Sequence, residues 1–189
     1  MKIGIDISQL AYDSTGVSNY LRCWVENLIK IDTENEYVLF YSSLRKKLPS
    51  LSFPSNSKVV IKRFRIPPTV LNVLWNNLHR LPIEGLIGNI DIFITSDWTE
   101  PPTIKAKKAT ILYDLIVYKY PEETHNQTEF NPRKLTISAN IVTSQRRKLK
   151  WVKKESDIIF CISESTKKDA EEILGLDKNK LKVIYPGFN

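Results

Sequence analysis

The sequence predicts an α/β fold, a Rossmann-like three-layer sandwich built on a mostly parallel sheet of about seven strands. Three observations lead there. Short apolar runs, polar corners and amphipathic stretches recur in that order along the chain, with no internal repeat. The strand-like runs are separated mostly by helices or long loops, which is how parallel strands must be joined. The 189 residues are 42% hydrophobic and 26% charged, the balance of an ordinary well-cored domain rather than of a disordered or coiled-coil chain.

The elements follow in order. Lys2 to Ile7 reads as the first strand, and Gly16 to Ile31 as a helix with Val17, Tyr20, Leu21, Trp24, Leu28 and Ile31 near helical spacing. Tyr37 to Tyr41 and Lys58 to Phe64 are rich in β-branched and aromatic residues and read as strands. Pro67-Pro68 opens a helix whose stripe is Val70, Leu74 and Leu78, widened by Leu71 and Trp75, and Pro82 stops it. Asp91 to Thr95 and Ala109 to Tyr113 are strands flanking a Pro-marked loop, Ser96 to Pro102. A long helix is expected from about Pro132 to Lys154, with Leu135, Ala139, Val142, Leu149 and Val152 on one face. Asp157 to Ile162 is a buried strand. Ser163 then caps a helix that Gly175 closes, and Leu181 to Tyr185 is the last strand.

Composition excludes several functions. Two cysteines, Cys23 and Cys161, and two histidines, His79 and His125, build neither a disulfide framework nor a thiolate or histidine-rich metal site. No signal peptide and no spanning run of ~18–20 apolar residues is present, so a cytoplasmic protein with reduced thiols is expected. Asn126-Gln127-Thr128 has the spacing of a glycosylation acceptor, which carries little weight without secretion.

The net charge of +7 gathers in two tracts. Tyr37 to Ile83 has no acid but carries Arg45, Lys46, Lys47, Lys58, Lys62, Arg63, Arg65 and Arg80. Phe130 to Lys154 has no acid but carries Arg133, Lys134, Arg146, Arg147, Lys148, Lys150, Lys153 and Lys154. A single tract of this kind is usually a solvated face. Two of them, with Trp75, Phe64 and Trp151 nearby, favour a flat anionic partner such as the inner face of a membrane. Nucleic acid ranks below it, because no recognised binding motif occurs.

In such sheets ligands bind beyond the carboxyl ends of the strands, where the strand order reverses. Four corners lie there: Ser8 to Thr15, Ser96 to Pro102, Asp114 to Thr124 and the Ser163 turn. Gly16 opens a helix whose free N–H groups suit a phosphate, or else it merely permits a tight turn. Neither the three-glycine dinucleotide fingerprint nor a Lys-Ser/Thr phosphate loop is present. Asp114 is placed either to accept a sugar hydroxyl or to cap the next turn. Tyr113 is either a reacting group or a packing residue, and Ser163 either a helix cap or a ligand. No metal is expected, because these loops lack carboxylate pairs at ligand spacing.

Taken together, these corners resemble the amino-terminal domain of family-four (group 1) glycosyltransferases, which have the two-Rossmann-domain GT-B architecture. The matching pieces are Met1 to Ile7 with the Gly16-Val17-Ser18-Asn19-Tyr20 helix opening, Asn35 to Phe40, and Tyr113-Asp114-Leu115-Ile116 with Tyr120-Pro121-Glu122. To these are added Asp157 to Asp169, and Val183 to Asn189 as the exit toward a second domain. The resemblance implies sugar transfer from a nucleotide-sugar, with retention, to a glycan or lipid-linked acceptor held by this domain. The nucleotide-sugar is a co-substrate and no further cofactor is implied. Gly16 and Val17 inherit the approach to the donor phosphates, Asp114 and Tyr113 the reacting centre, and Ser163 the cleft wall. The resemblance also implies a C-terminal nucleotide-binding domain, beginning where this chain ends, without which the chain is inactive. The sequence departs from the family at Tyr113, where His is usual, and at Ser18 and Asn19, which replace a second Gly and an Arg. Those departures keep a non-catalytic subunit of the same fold in view, and the basic tracts keep a nucleic-acid-binding domain.

Overall fold

A computed structural model describes residues 1–96, 98–120 and 132–187. Side chains within the long helix are described from residue 142. Seven strands form one sheet, in the order β3-β2-β1-β4-β5-β6-β7, and every pair is parallel. They are β1 (Lys2–Asp6), β2 (Glu36–Ser42), β3 (Val59–Phe64), β4 (Ile92–Thr95), β5 (Lys107–Leu112), β6 (Ile158–Cys161) and β7 (Leu181–Val183). The order reverses between β1 and β4, whose register pairs Ile3 with Ile92 and Ile5 with Ile94. This is the expected α/β, Rossmann-like three-layer architecture, with all strands parallel.

The strands expose two apolar parities, and each is covered. On one face α1 (Gly16–Ile31) lays Leu21, Val25 and Ile29 on Ile3, Ile5, Tyr37, Leu39, Ile94 and Ile111, forming one continuous core. On the other face α2 (Pro68–Leu71, continued as a π-helix over Asn72–Asn77) and α3 (Glu84–Ile87) bury Leu71, Trp75, Ile83 and Ile87 against Val38, Phe40 and Phe93. Along the same face α5 (Pro132–Glu155) and α6 (Glu164–Leu174) cover Leu112, Ile159, Cys161 and Leu181 with Leu149, Val152 and Ala170. A one-turn helix, α4 (Ile116–Lys119), follows β5.

Two expectations are corrected. The buried stripe of α2 is Leu71 and Trp75, whereas Val70 and Leu78 are exposed and Leu74 is half-buried. The cause is the wider turn, in which Leu78 N–H donates to Val73 C=O five residues back, so four-residue spacing no longer tracks one face. In the second basic tract Lys148 is buried rather than solvated, and its Nζ donates to the Ser96 carbonyl at the end of β4. Val142, Leu149 and Val152 are buried as expected, while Leu135 and Ala139 fall outside the described side chains.

Glycine placement is specific. A Cβ on Gly4 would stand 2.8 Å from a Phe93 ring carbon and 2.9 Å from Ile90 Cδ1, so β1 can approach α3 only without a side chain there. Gly175 ends α6 in the left-handed region, at φ 59°.

Candidate functional site

A groove of about 950 Å³ runs along α1 and across the carboxyl ends of β5, β6 and β7. It is bordered by Gly16, Val17, Tyr20, Trp24, Asp114 and Tyr185, among others. Four of the five residues singled out from the sequence therefore share it: Gly16, Val17, Tyr113 and Asp114. Ser163 lies beside it. Its neighbour Ile162 borders the groove, while the Ser163 hydroxyl accepts from Thr166 N–H at 3.0 Å and caps α6.

The apolar residues of α1 divide into two rows. Leu21, Val25 and Ile29 are buried against the sheet. Val17, Tyr20, Trp24 and Leu28 are half-buried, with Ile31 exposed, and they form one wall of the groove. The Tyr20 hydroxyl donates to the Ile184 carbonyl at 3.2 Å, which ties the first turns of α1 to the segment leaving β7. Its ring meets Tyr113 edge-on with centroids 5.5 Å apart. Burial pushes the Tyr20 phenol above its ordinary value, so it remains a donor.

The opening of α1 leaves backbone donors without intrahelical partners. Thr15 is the N-cap, and its side chain accepts from Ser18 N–H at 3.2 Å. Asn19 N–H goes to the Thr15 carbonyl. Among the described residues the Gly16 and Val17 N–H groups then remain as unused donors at the positive end of the helix dipole. A Cβ on Gly16 would meet nothing within 4 Å, and its φ lies outside the left-handed region. Neither a tight turn nor close packing therefore requires glycine at this position. Ser18 is fully buried, with a hydroxyl that has no partner among the described residues, so it faces the core and not the groove.

At the other side of the groove the two candidate reacting residues differ. Asp114 is exposed, and its Oδ1 accepts from Ile116 N–H at 3.1 Å, so it caps the turn into α4. Tyr113 is buried, with its hydroxyl 3.1 Å from Ser96 Oγ and its carbonyl accepting from Thr166 Oγ1 at 2.9 Å. The phenol is thus directed into the protein. The Asp114 to Thr124 corner is described only as far as Tyr120, so Pro121 and Glu122 lie outside the described residues, as do Asp97, Asn126, Phe188 and Asn189.

At the boundary of β1 and β4 the space above the sheet is filled by side chains that the sequence reading passed over. Asp6 is buried, its Oδ1 accepts from Ser8 N–H at 2.8 Å, and burial raises its carboxyl above the ordinary value despite Ser8 and Lys148. Only a cavity of about 30 Å³ remains beside it, under the stacked rings of Tyr12 and Trp98. That is the volume of one water. Below it Glu100, fully buried, accepts from Thr95 and Thr110 and pairs with Lys108 Nζ at 3.0 Å. Lys108 also reaches Glu155 at 2.9 Å. Asn76 holds the loop carrying Glu100, because Asn76 Nδ2 donates to Trp98 O and Glu100 N–H donates to Asn76 Oδ1. The one signal available was Glu100 itself, an acid in a loop otherwise read only for its prolines.

Neither a family model nor a curated protein matches this sequence. Among the described residues no cluster of His, Cys, Asp or Glu could hold a metal ion, and no helix is long and apolar enough to cross a membrane. Cys23 and Cys161 are both free thiols, and burial pushes the Cys161 thiol up to about 11.

Proposed function

We propose that this chain is the acceptor-side half of a retaining glycosyltransferase resembling family four, acting in the cytoplasm with a second, nucleotide-binding Rossmann domain. The observation that supports the reading is the pairing of two features across one groove. Two unused N–H donors at Gly16 and Val17 lie on one side and the exposed Asp114 carboxylate on the other. In that reading the leaving diphosphate of a nucleotide-sugar gains charge next to the start of α1. Backbone donors already in place stabilise that charge without reorganising. Asp114 orients a hydroxyl of the sugar, and the acceptor, a glycan or a lipid-linked saccharide, lies along Tyr20 and Trp24.

The test is co-expression with a nucleotide-binding Rossmann domain of the resembled architecture, followed by assay of sugar transfer from a panel of nucleotide-sugars. Turnover is expected, and Gly16→Asp is expected to lower it by at least roughly a hundredfold, because a carboxylate would occupy the diphosphate position. Undiminished turnover in that variant removes the phosphate assignment. A second reading, a non-catalytic subunit of the same fold, is favoured by the Tyr113 phenol being engaged with Ser96 where the resembled family has His. Complex formation without turnover, unchanged by Tyr113→His, would decide for it.

A further inference from the structure

On the sheet face opposite the groove, two ridges lie side by side. The first is the outer side of α2 and the turn after it, where Val70, Val73, Leu78 and Leu81 are all exposed. The turn is strained into this shape, since His79 and Leu81 both adopt positive φ, 50° and 65°. Non-glycine residues persist there only when the surroundings hold them. Trp75 Nε1, donating to the Leu81 carbonyl, and the His79 ring, stacked 3.6 Å from Trp151, supply that hold. The second ridge is the outer side of α5, where Arg146, Arg147, Lys150, Lys153 and Lys154 are exposed. Arg147 Nη1 donates to Asn77 Oδ1 at 2.9 Å, and Leu78 follows Asn77 directly, so Arg147 reaches the apolar ridge. Arg146 lies over the Tyr118 ring and Lys153 Nζ donates to the Leu174 carbonyl, toward α4 and α6. Lys150 and Lys154 lie over the Trp151 ring at 5.9 and 5.2 Å. Between the ridges is a depression of about 270 Å³ lined by Asn76, Asn77, Arg147, Lys150 and Trp151.

The charge carried by the two ridges themselves has one sign. Neither Tyr37 to Ile83 nor Phe130 to Lys154 contains an acid, and Glu155, the next one, gives its two oxygens to His79 and Lys108. We propose that this double ridge docks on an anionic lipid bilayer, with the valines and leucines entering the headgroup boundary and the cations holding acidic headgroups. An apolar row rimmed by Lys, Arg and Trp matches the chemistry of that boundary. Nucleic acid would reward the cations but leave Val70, Val73, Leu78 and Leu81 in water. The groove on the far side of the sheet stays open to solvent in this orientation, and the proposal is independent of the sugar-transfer reading.

The experiment is co-sedimentation of the chain with phosphatidylcholine vesicles, with and without phosphatidylglycerol, in the absence of any sugar donor. Binding is expected only with phosphatidylglycerol and is expected to weaken with added salt. The pair Arg147→Glu and Lys150→Glu should weaken it by roughly 25-fold or more, at about fivefold for each cation lost. The pair Val70→Ser and Val73→Ser should weaken it by roughly tenfold. All four positions are exposed, so unchanged circular dichroism and melting temperature are expected and serve as the folding control. The proposal is overturned by absence of binding to acidic vesicles, by serine variants that bind as well as the parent, or by tighter binding to duplex DNA or RNA at the same ionic strength.

Discussion

The two faces of the sheet solve the same packing problem differently. Under α1 the core is continuous, and apolar side chains of six neighbouring strands meet without interruption. On the opposite face the core falls into two apolar clusters, one beneath α2 and α3 and one beneath α5 and α6. Between them stand Thr95, Thr110, Lys108 and Glu100, joined to Glu155 and His79. Such a polar seam contributes little net stability compared with apolar packing, yet removing one member leaves a partner charged and unpaired. The face with the simpler core has one α-helix among the described residues and carries the groove, while the face with the seam carries more helices and the basic ridge.

Breaking the seam should produce the largest effect. Lys108→Ala leaves Glu100 and Glu155 without their shared cation, and chemical denaturation should register a loss of about 3–5 kcal/mol. A loss no larger than that of an exposed lysine would mean that the carboxylates find other partners. Gly4→Ala comes next, at about 1–3 kcal/mol, because the new methyl must push Phe93 and Ile90 aside. Acid titration sharpens the contrast further. Burial alone would raise the Glu155 carboxyl, but Lys108 and His79 hold it below its ordinary value. Its contribution is therefore complete above the unfolded value of about 4.3 and disappears as the pH falls through the lower folded value. Glu155→Gln should flatten the acid limb of the stability curve measured by thermal melting, whereas substitutions under α1 should shift the curve without changing its slope. The smallest change is expected on the groove side. Gly16→Ala meets open space and improves helix propensity, so the melting temperature should hold or rise, by up to about 1 kcal/mol equivalent.

Much of the architecture was legible because the strands and α1 obey simple periodicities. Gly16–Ile31 was bounded correctly by its Gly and by the spacing of its apolar residues, and Ser163 and Gly175 marked both ends of α6. Where the reading failed, a wider helical turn or a longer-range contact had overridden the simple periodicity. The π-turn in α2 rotated Leu78 outward, and Lys148, one of eight cations in its tract, was drawn inside by the Ser96 carbonyl. The candidate site was half legible. Corners at strand ends announced Gly16, Val17, Tyr113 and Asp114, but the division of α1 into a buried row and a groove row depends on what lies opposite each residue. Nothing local distinguishes Trp24 from Val25. The seam was invisible for the same reason, because Glu100, Lys108 and Glu155 are adjacent only once β4, β5 and α5 have assembled.

The strand order has a consequence for how the polypeptide is made. β1 pairs with β2 within the first 42 residues, but its other neighbour, β4, begins only at Ile92. On the ribosome, therefore, a nascent three-stranded half-sheet must wait with Ile3 to Ile5 offering bare amides and carbonyls along one border until some thirty further residues emerge. Any foreign strand that arrives during that interval competes with the native neighbour.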